Sequence, residues 1–227
     1  HTYRLCGIFN EPGALGTVCA LLFICTFSKT KWWEKLLLLA AGALTISFAF
    51  ALLILGFAAV YICQKKPSNI VYIIGAFLMV FLVLPNIDFH NDAINELMSR
   101  FAITKSGLAG NNRTTDLFEA EYSKFRNASH YWFGMGGGAS LASGVASYKS
   151  QFIVPFGIIG TGWLLGSWLF ATMEYSERNK TCLTYALFFF ISLYQRPYAI
   201  LSIWGYIFLF GGIEWIKDPT NYIAGET

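Results

Sequence analysis

Arg4 and Glu11 lie in the segment Arg4-Leu5-Cys6-Gly7-Ile8-Phe9-Asn10-Glu11-Pro12-Gly13, which runs straight into an apolar stretch beginning at Ala14. A guanidinium and a carboxylate at the mouth of a membrane span carry a desolvation cost that a purely structural span has no reason to accept. The guanidinium offers a planar fork of donors suited to phosphate oxygens, and the carboxylate offers a base. Each also has a plainer role. Arg4 can anchor the chain at the interface, and Glu11 before Pro12 suits a helix start. Arg113 follows a Gly110-Asn111-Asn112 turn and precedes a helix start, so its side chain is free either to face a membrane mouth or to sit as a solvated loop charge.

Between residues 131 and 150 the chain is too rich in Gly and Ser for a lipid-facing helix and suits a tight loop or re-entrant segment. Gly134 and Gly136 would let backbone amides approach a phosphate or sugar closely, or simply make a turn. The run is no dinucleotide fingerprint, because the surrounding βαβ pattern and the following acidic residue are missing. Tyr148, Lys149 and His130 flank it as further polar candidates. Arg196 precedes Pro197 at a turn and is expected to serve topology or structure as much as substrate. The five cysteines, Cys6, Cys19, Cys25, Cys63 and Cys182, show no metal-ligand spacing and read as small core residues.

The elements that must position these groups are membrane spans. With 56% hydrophobic, 18% aromatic and 13% charged residues, a soluble globule would have too little polar surface. Apolar runs at 14–27, 36–63, 70–84, 152–173, 182–194 and 198–213 approach the roughly 20 residues needed to cross a bilayer. They are apolar on every face, unlike the alternating segments of a β-barrel. The expected fold is an all-α, polytopic helical bundle, with spans in 1–85, a large extracytoplasmic loop at 86–150 and further spans in 151–227. The net charge of +3 mostly flanks the spans, so it speaks to orientation and not to nucleic acid. Placing every basic cluster (Lys29, Lys31 and Lys35; Lys65 and Lys66; Arg178 and Lys180; Lys217) in the cytoplasm requires 36–63 to cross twice, turning near Thr45-Ile46-Ser47. A single long tilted helix is the rival. Because the chain begins with His and lacks a leader pattern, it reads as a fragment missing upstream spans.

Within the outer loop, the spacing of Ile94, Leu97, Met98 and Phe101 predicts a helix over 92–103. Asp116-Leu117-Phe118-Glu119 reads as a capping box opening a second helix, with Phe118, Tyr122 and Phe125 on one face. Both are expected to lie with their apolar faces on the outer membrane surface.

The ordered set Arg4-x-x-Gly7-x-Phe9-x-Glu11-Pro12-Gly13, Ser47-Phe48, Asn112-Arg113, Phe133-Gly134-x-Gly136, Gly157-Ile158-Ile159-Gly160 and Gln195-Arg196-Pro197 resembles the O-antigen polymerases (Wzy-type), within the superfamily that includes O-antigen ligases. The resemblance covers nearly the whole chain, as the C-terminal half or so of such a protein. It implies a multi-pass enzyme of the bacterial inner membrane that joins oligosaccharide repeat units carried on undecaprenyl pyrophosphate, at the periplasmic face, without a metal, cofactor or nucleotide sugar. A chain-length regulator is an implied partner. The resemblance carries substrate engagement onto Arg4 and Arg113. In ligase-like members a His-Asn pair lies eleven residues before the first glycine of Gly-x-x-Gly. Here that position holds Ala146-Ser147, which favours polymerisation over ligation and makes Tyr148 and Lys149 candidate stand-ins.

Displacing a sugar from pyrophosphate develops negative charge on the leaving group, which fixed guanidinium groups stabilise where bulk water is excluded. Arg4, Arg113 and Glu11 are thus the catalytic candidates, with Tyr148, Lys149, Gly134, Gly136 and Arg196 as substrate-binding ones. On a phosphate, Arg4→Lys is expected to impair function nearly as much as Arg4→Ala while protein level stays near normal. A ligase, a lipid-linked saccharide flippase or transporter, and a non-catalytic assembly partner are the competing readings.

Overall fold

The computed structural model describes residues 4–9, 11–90, 92–99, 102–104, 107–108, 115–141 and 147–218. The chain divides into two compact units, His1–Asn112 and Arg113–Thr227. The boundary falls inside the long polar segment 86–150.

In the first unit Pro12 opens α1 (Pro12–Thr26), with Glu11 extended before it. Pro lacks the amide hydrogen that would be unpaired at this position anyway. The apolar run 36–63 is two helices, α2 (Trp32–Leu44) and α3 (Phe48–Lys65). Between them Ile46 takes a positive φ of 48°, and the buried Thr45 hydroxyl donates to the Gly42 carbonyl at 2.6 Å. Ser47 then caps α3, its side chain accepting from the Phe50 amide. α1 packs against both helices, and Gly16 of α1 lies close against Thr45 and Ser47 at the turn. Toward the other end, Phe23 and Phe27 of the α1 end pack on Phe57 and Tyr61 of α3. Thus α1 and α3 run parallel, α2 runs back the other way against α1, and the lysines following α1 share one end of the unit with Lys65.

Past Lys66 the chain continues as α4 (Ile70–Leu78), a π turn at Met79–Val83 and a 3-10 turn at Leu84–Asn86. The helix expected over 92–103 stops earlier. It forms α5 (Asp92–Ser99), after which Ile103 enters β1 (Ile103–Thr104), paired antiparallel with β2 (Gly107–Leu108). Phe101 lies outside the described residues.

The second unit begins with α6 (Asp116–Arg126), whose cap is Thr115 and not Asp116. The Thr115 hydroxyl accepts from the Phe118 amide at 3.2 Å. That shift leaves Glu119 one position too far along for a capping box and available for another partner. Phe118, Tyr122 and Phe125 are buried as expected on one face. They pack on protein, however, against Val154, Ile153, Tyr131 and Leu141, and not on lipid. Four apolar partners in one cluster offer more contact than a headgroup layer.

After the short α7 (His130–Phe133), a π turn at Lys149–Ile153 leads into α8 (Val154–Tyr175), and α9 (Lys180–Ser192) follows, capped by Asn179. The run 198–213 is not one helix. Pro197–Ala199 is a 3-10 turn and Ser202 is extended, so regular structure resumes in α10 (Ile203–Gly205), a π turn at Tyr206–Phe210 and α11 (Gly211–Lys217). The π turn frees carbonyls from the usual ladder, and the buried Tyr185 hydroxyl donates to that of Phe208.

Two helices, Phe48–Lys65 and Lys149–Tyr175, are long and apolar enough to cross a membrane, while α1 and α9 are apolar but shorter. Exposed Leu36, Leu37, Leu44, Trp163 and Phe170 give both units extensive apolar surface.

Candidate functional site

In the first unit the Arg4 guanidinium is engaged by the protein itself. Nε donates to the Thr45 carbonyl at 2.9 Å and an Nη to that of Ile46 at 3.0 Å, and the Leu5 amide donates to the Leu44 carbonyl at 3.0 Å. The last carbonyls of a helix have no partner within it. Arg4 therefore closes the C-terminus of α2, where a cation also complements the helix dipole. Glu11 occupies the cap position of α1 without a side-chain capping bond. Two pieces of the sequence pattern, the Arg4 segment and Ser47-Phe48, thus meet at one end of this unit.

A second pair meets in the other unit. Inside α8, Gly157 adopts φ 66° and ψ −178°, which breaks the helix. The main chain at 134–136 occupies the break. The Met135 amide donates to the Val154 carbonyl at 2.9 Å and the Gly136 amide to that of Pro155 at 3.0 Å. Gly134, at φ 80°, passes so close that a Cβ there would run into the Pro155 carbonyl. A Cβ on Gly157 would strike the Trp132 carbonyl. The close approach expected of these glycines is to the protein's own backbone, and the Gly136 amide is already bonded.

Tyr148, Lys149 and Arg196 gather near the start of this long helix. Tyr148 stacks on Tyr194, ring centroids 5.1 Å apart. Burial holds the Tyr148 phenol above its ordinary pKa, against the lowering pull of the Lys149 ammonium. It therefore acts as a hydrogen-bond donor and not as a base at neutral pH. Lys149 Nζ reaches both carboxylate oxygens of Glu119 at 2.7 Å and lies 5.0 Å from the Tyr122 ring. Arg196, two residues beyond Tyr194, is only 4% exposed. A guanidinium so deeply withdrawn from water needs anionic or carbonyl company.

From the tyrosine pair a groove of about 660 Å³ extends between α8 and α9, lined by Phe152, Leu165, Leu169, Leu187 and Phe190. Its size falls within the range of small-molecule sites. The Thr161 hydroxyl lies buried in this lining, with no hydrogen-bond partner among the described residues. An apolar trough whose end carries phenols, next in sequence to two cations, can hold an amphiphile with a hydrocarbon tail and an anionic head.

Arg113 lies outside the described residues. Tyr194 was not singled out by the sequence, and Glu119 only as part of a capping box. The position of Tyr194 beside Gln195-Arg196-Pro197 was the available signal for the first, whereas nothing in spacing alone pairs Glu119 with a lysine in a distant segment. Comparison with protein-family models, curated proteins and solved structures finds no match.

Proposed function

We propose that this chain is a multi-pass membrane glycosyltransferase of the bacterial inner membrane that polymerises undecaprenyl-pyrophosphate-linked oligosaccharide repeat units at the periplasmic face. The observation that carries the reading is the groove between α8 and α9, apolar along its length and ending at the stacked Tyr148 and Tyr194, which neighbour Lys149 and Arg196 in the sequence. It suits a long hydrocarbon tail attached to a phosphate-bearing head.

The reaction asks little else of the protein. A hydroxyl of the incoming unit's sugar attacks the anomeric carbon of the growing chain, forming one C–O bond as the bond to pyrophosphate breaks. The bonding electron pair leaves on the pyrophosphate oxygen, and the hydroxyl proton passes to a base. The resemblance carries substrate engagement onto Arg4 and Arg113, and Glu11 is the nearest carboxylate in the same signature and the candidate base. In the second unit the Tyr148 hydroxyl at the end of the groove donates to the head, while Lys149 is held by Glu119.

A transporter reading draws on one observation, the helix broken at Gly157, since transporters build sites on interrupted helices. Here the freed carbonyls of Val154 and Pro155 are bonded by Met135 and Gly136. That leaves polymerisation as the better supported reading.

The test is a deletion strain complemented with variants, scored on a polysaccharide ladder. Tyr148→Ala combined with Tyr194→Ala, and separately Arg113→Ala, are expected to abolish long chains while single repeat units still reach the acceptor lipid. Arg126→Ala, on the far end of α6, is the control and should leave the ladder whole. Full-length ladders from both test variants would overturn the reading, as would the loss of single units along with long chains, which would indicate failed transport.

A further inference from the structure

The end of the first unit opposite Arg4 carries a basic surface that the proposed reaction does not use. Over 26–35 and 61–69 the chain has Lys29, Lys31, Lys35, Lys65 and Lys66 against a single acid, Glu34. One Glu34 carboxylate oxygen accepts from the Lys31 amide at 3.2 Å, closing the first turn of α2. The lysines are brought together by aromatic packing. Phe27 and Tyr61 meet at 5.0 Å, ring edge to ring face, and Phe57 supports Phe27 at 5.2 Å. Lys35 Nζ rests 4.9 Å from the centre of the Phe27 ring, and Lys65 Nζ 4.7 Å from that of Tyr61. Two ammonium groups from different helices are thus held on adjoining rings, which reduces the entropy either would lose on binding an anion.

The surroundings point to what that anion is attached to. Lys65 is the last residue of α3, a helix long and apolar enough to span, so its ammonium falls at headgroup depth. Trp32 and Trp33 are 75% and 50% exposed at the start of α2, and indoles favour the boundary between headgroups and hydrocarbon. Below them Leu36, Leu37 and Ile62 present exposed apolar side chains.

We propose that the converging ends of α1, α2 and α3 form a binding site for the phosphodiester headgroup of an anionic phospholipid. Lys35 and Lys65 hold the phosphate, Lys31 and Lys66 add to the local potential, and Trp32 and Trp33 seat the glycerol region. The site is independent of the polymerase reading, because it uses none of the residues assigned to sugar transfer.

The experiment uses the full chain purified in a neutral detergent and stripped of lipid, with phosphatidylglycerol as the probe. Native mass spectrometry and thermal unfolding are read together. Phosphatidylglycerol is expected to remain bound and to raise the unfolding temperature, whereas phosphatidylcholine and inorganic phosphate do neither. Lys35→Gln with Lys65→Gln should weaken retention on the order of thirtyfold, from about 1 kcal/mol for each charge at the membrane surface. Lys35→Arg with Lys65→Arg should restore it and also guards against misfolding of the Gln pair. Equal retention by wild type and the Gln pair would overturn the proposal, as would equal stabilisation by phosphatidylcholine. A matching shift from inorganic phosphate alone would identify a free-anion site and overturn it too.

Discussion

The two units interrupt their apolar helices in different ways, and the contrast shows how an apolar helical chain disposes of carbonyls that lose their ladder partners. At Thr45–Ser47 a charged side chain from a distant segment, Arg4, donates to two of them. At Gly157 the donors are the main-chain amides of Met135 and Gly136. The first solution leaves side chains on the turn residues themselves, with bare Gly16 and Gly42 packed beside them, and depends on one guanidinium. The second needs no charge but requires bare backbone on both sides, which is why Gly134 and Gly157 face one another there.

The sharpest way to break this contrast is Gly134→Ala, expected to destabilise by at least about 3 kcal/mol through the steric clash and the positive φ together. Gly136→Ala is its companion. It also has a positive φ but open space around it, so it should lose only about 1–2 kcal/mol. Thermal unfolding of the detergent-purified protein reads both, and equal losses would remove the close-approach account. Next in size is Arg4→Ala, which should lose about 1–3 kcal/mol through two charge-assisted bonds to carbonyls. Arg4→Lys, with one ammonium in place of a fork, should recover about half of that. Protein level should therefore fall with activity, unlike the expectation drawn from phosphate binding alone. If level and unfolding temperature hold in Arg4→Ala, the capping role is wrong.

Smaller still is Glu119→Gln. The Lys149–Glu119 pair is only partly buried, with side chains 21% and 41% exposed, so about 0.5–1 kcal/mol is expected, shrinking in high salt. Ser47→Ala should have a similarly small effect, about 0.5–1 kcal/mol for one long capping bond. A larger loss would mean that the turn at 45–47 depends on its caps more than on Arg4.

Much of this was legible before any coordinates. The break at Thr45–Ser47 could be inferred because the positive charges at both ends of 36–63 cannot share a side of the membrane unless the chain turns. The buried face of α6 followed from Phe118, Tyr122 and Phe125 at helical spacing, though not what covers it, because periodicity gives a direction and no partner. The same limit explains Arg4. A guanidinium at a membrane mouth signals an anion or a cluster of carbonyls equally well, and only tertiary structure brings Thr45 and Ile46 within reach. Gly134 and Gly157 are more than twenty residues apart, and nothing in composition indicates that two glycines so separated exist for each other. The break in 198–213 was hidden because apolar residues fill π and 3-10 turns as readily as α-helix.

The bonds from Met135 and Gly136 to Val154 and Pro155 have a practical consequence. They tie the chain into a ring whose ends are fixed whatever lies between them, much as a knot holds a loop of any size. Doubling the length of such a loop costs only about 0.6 kcal/mol of closure entropy. A protease site or epitope inserted after the exposed Gly138 should therefore leave both units intact. It would also report, from outside a living cell, which side of the membrane this segment occupies.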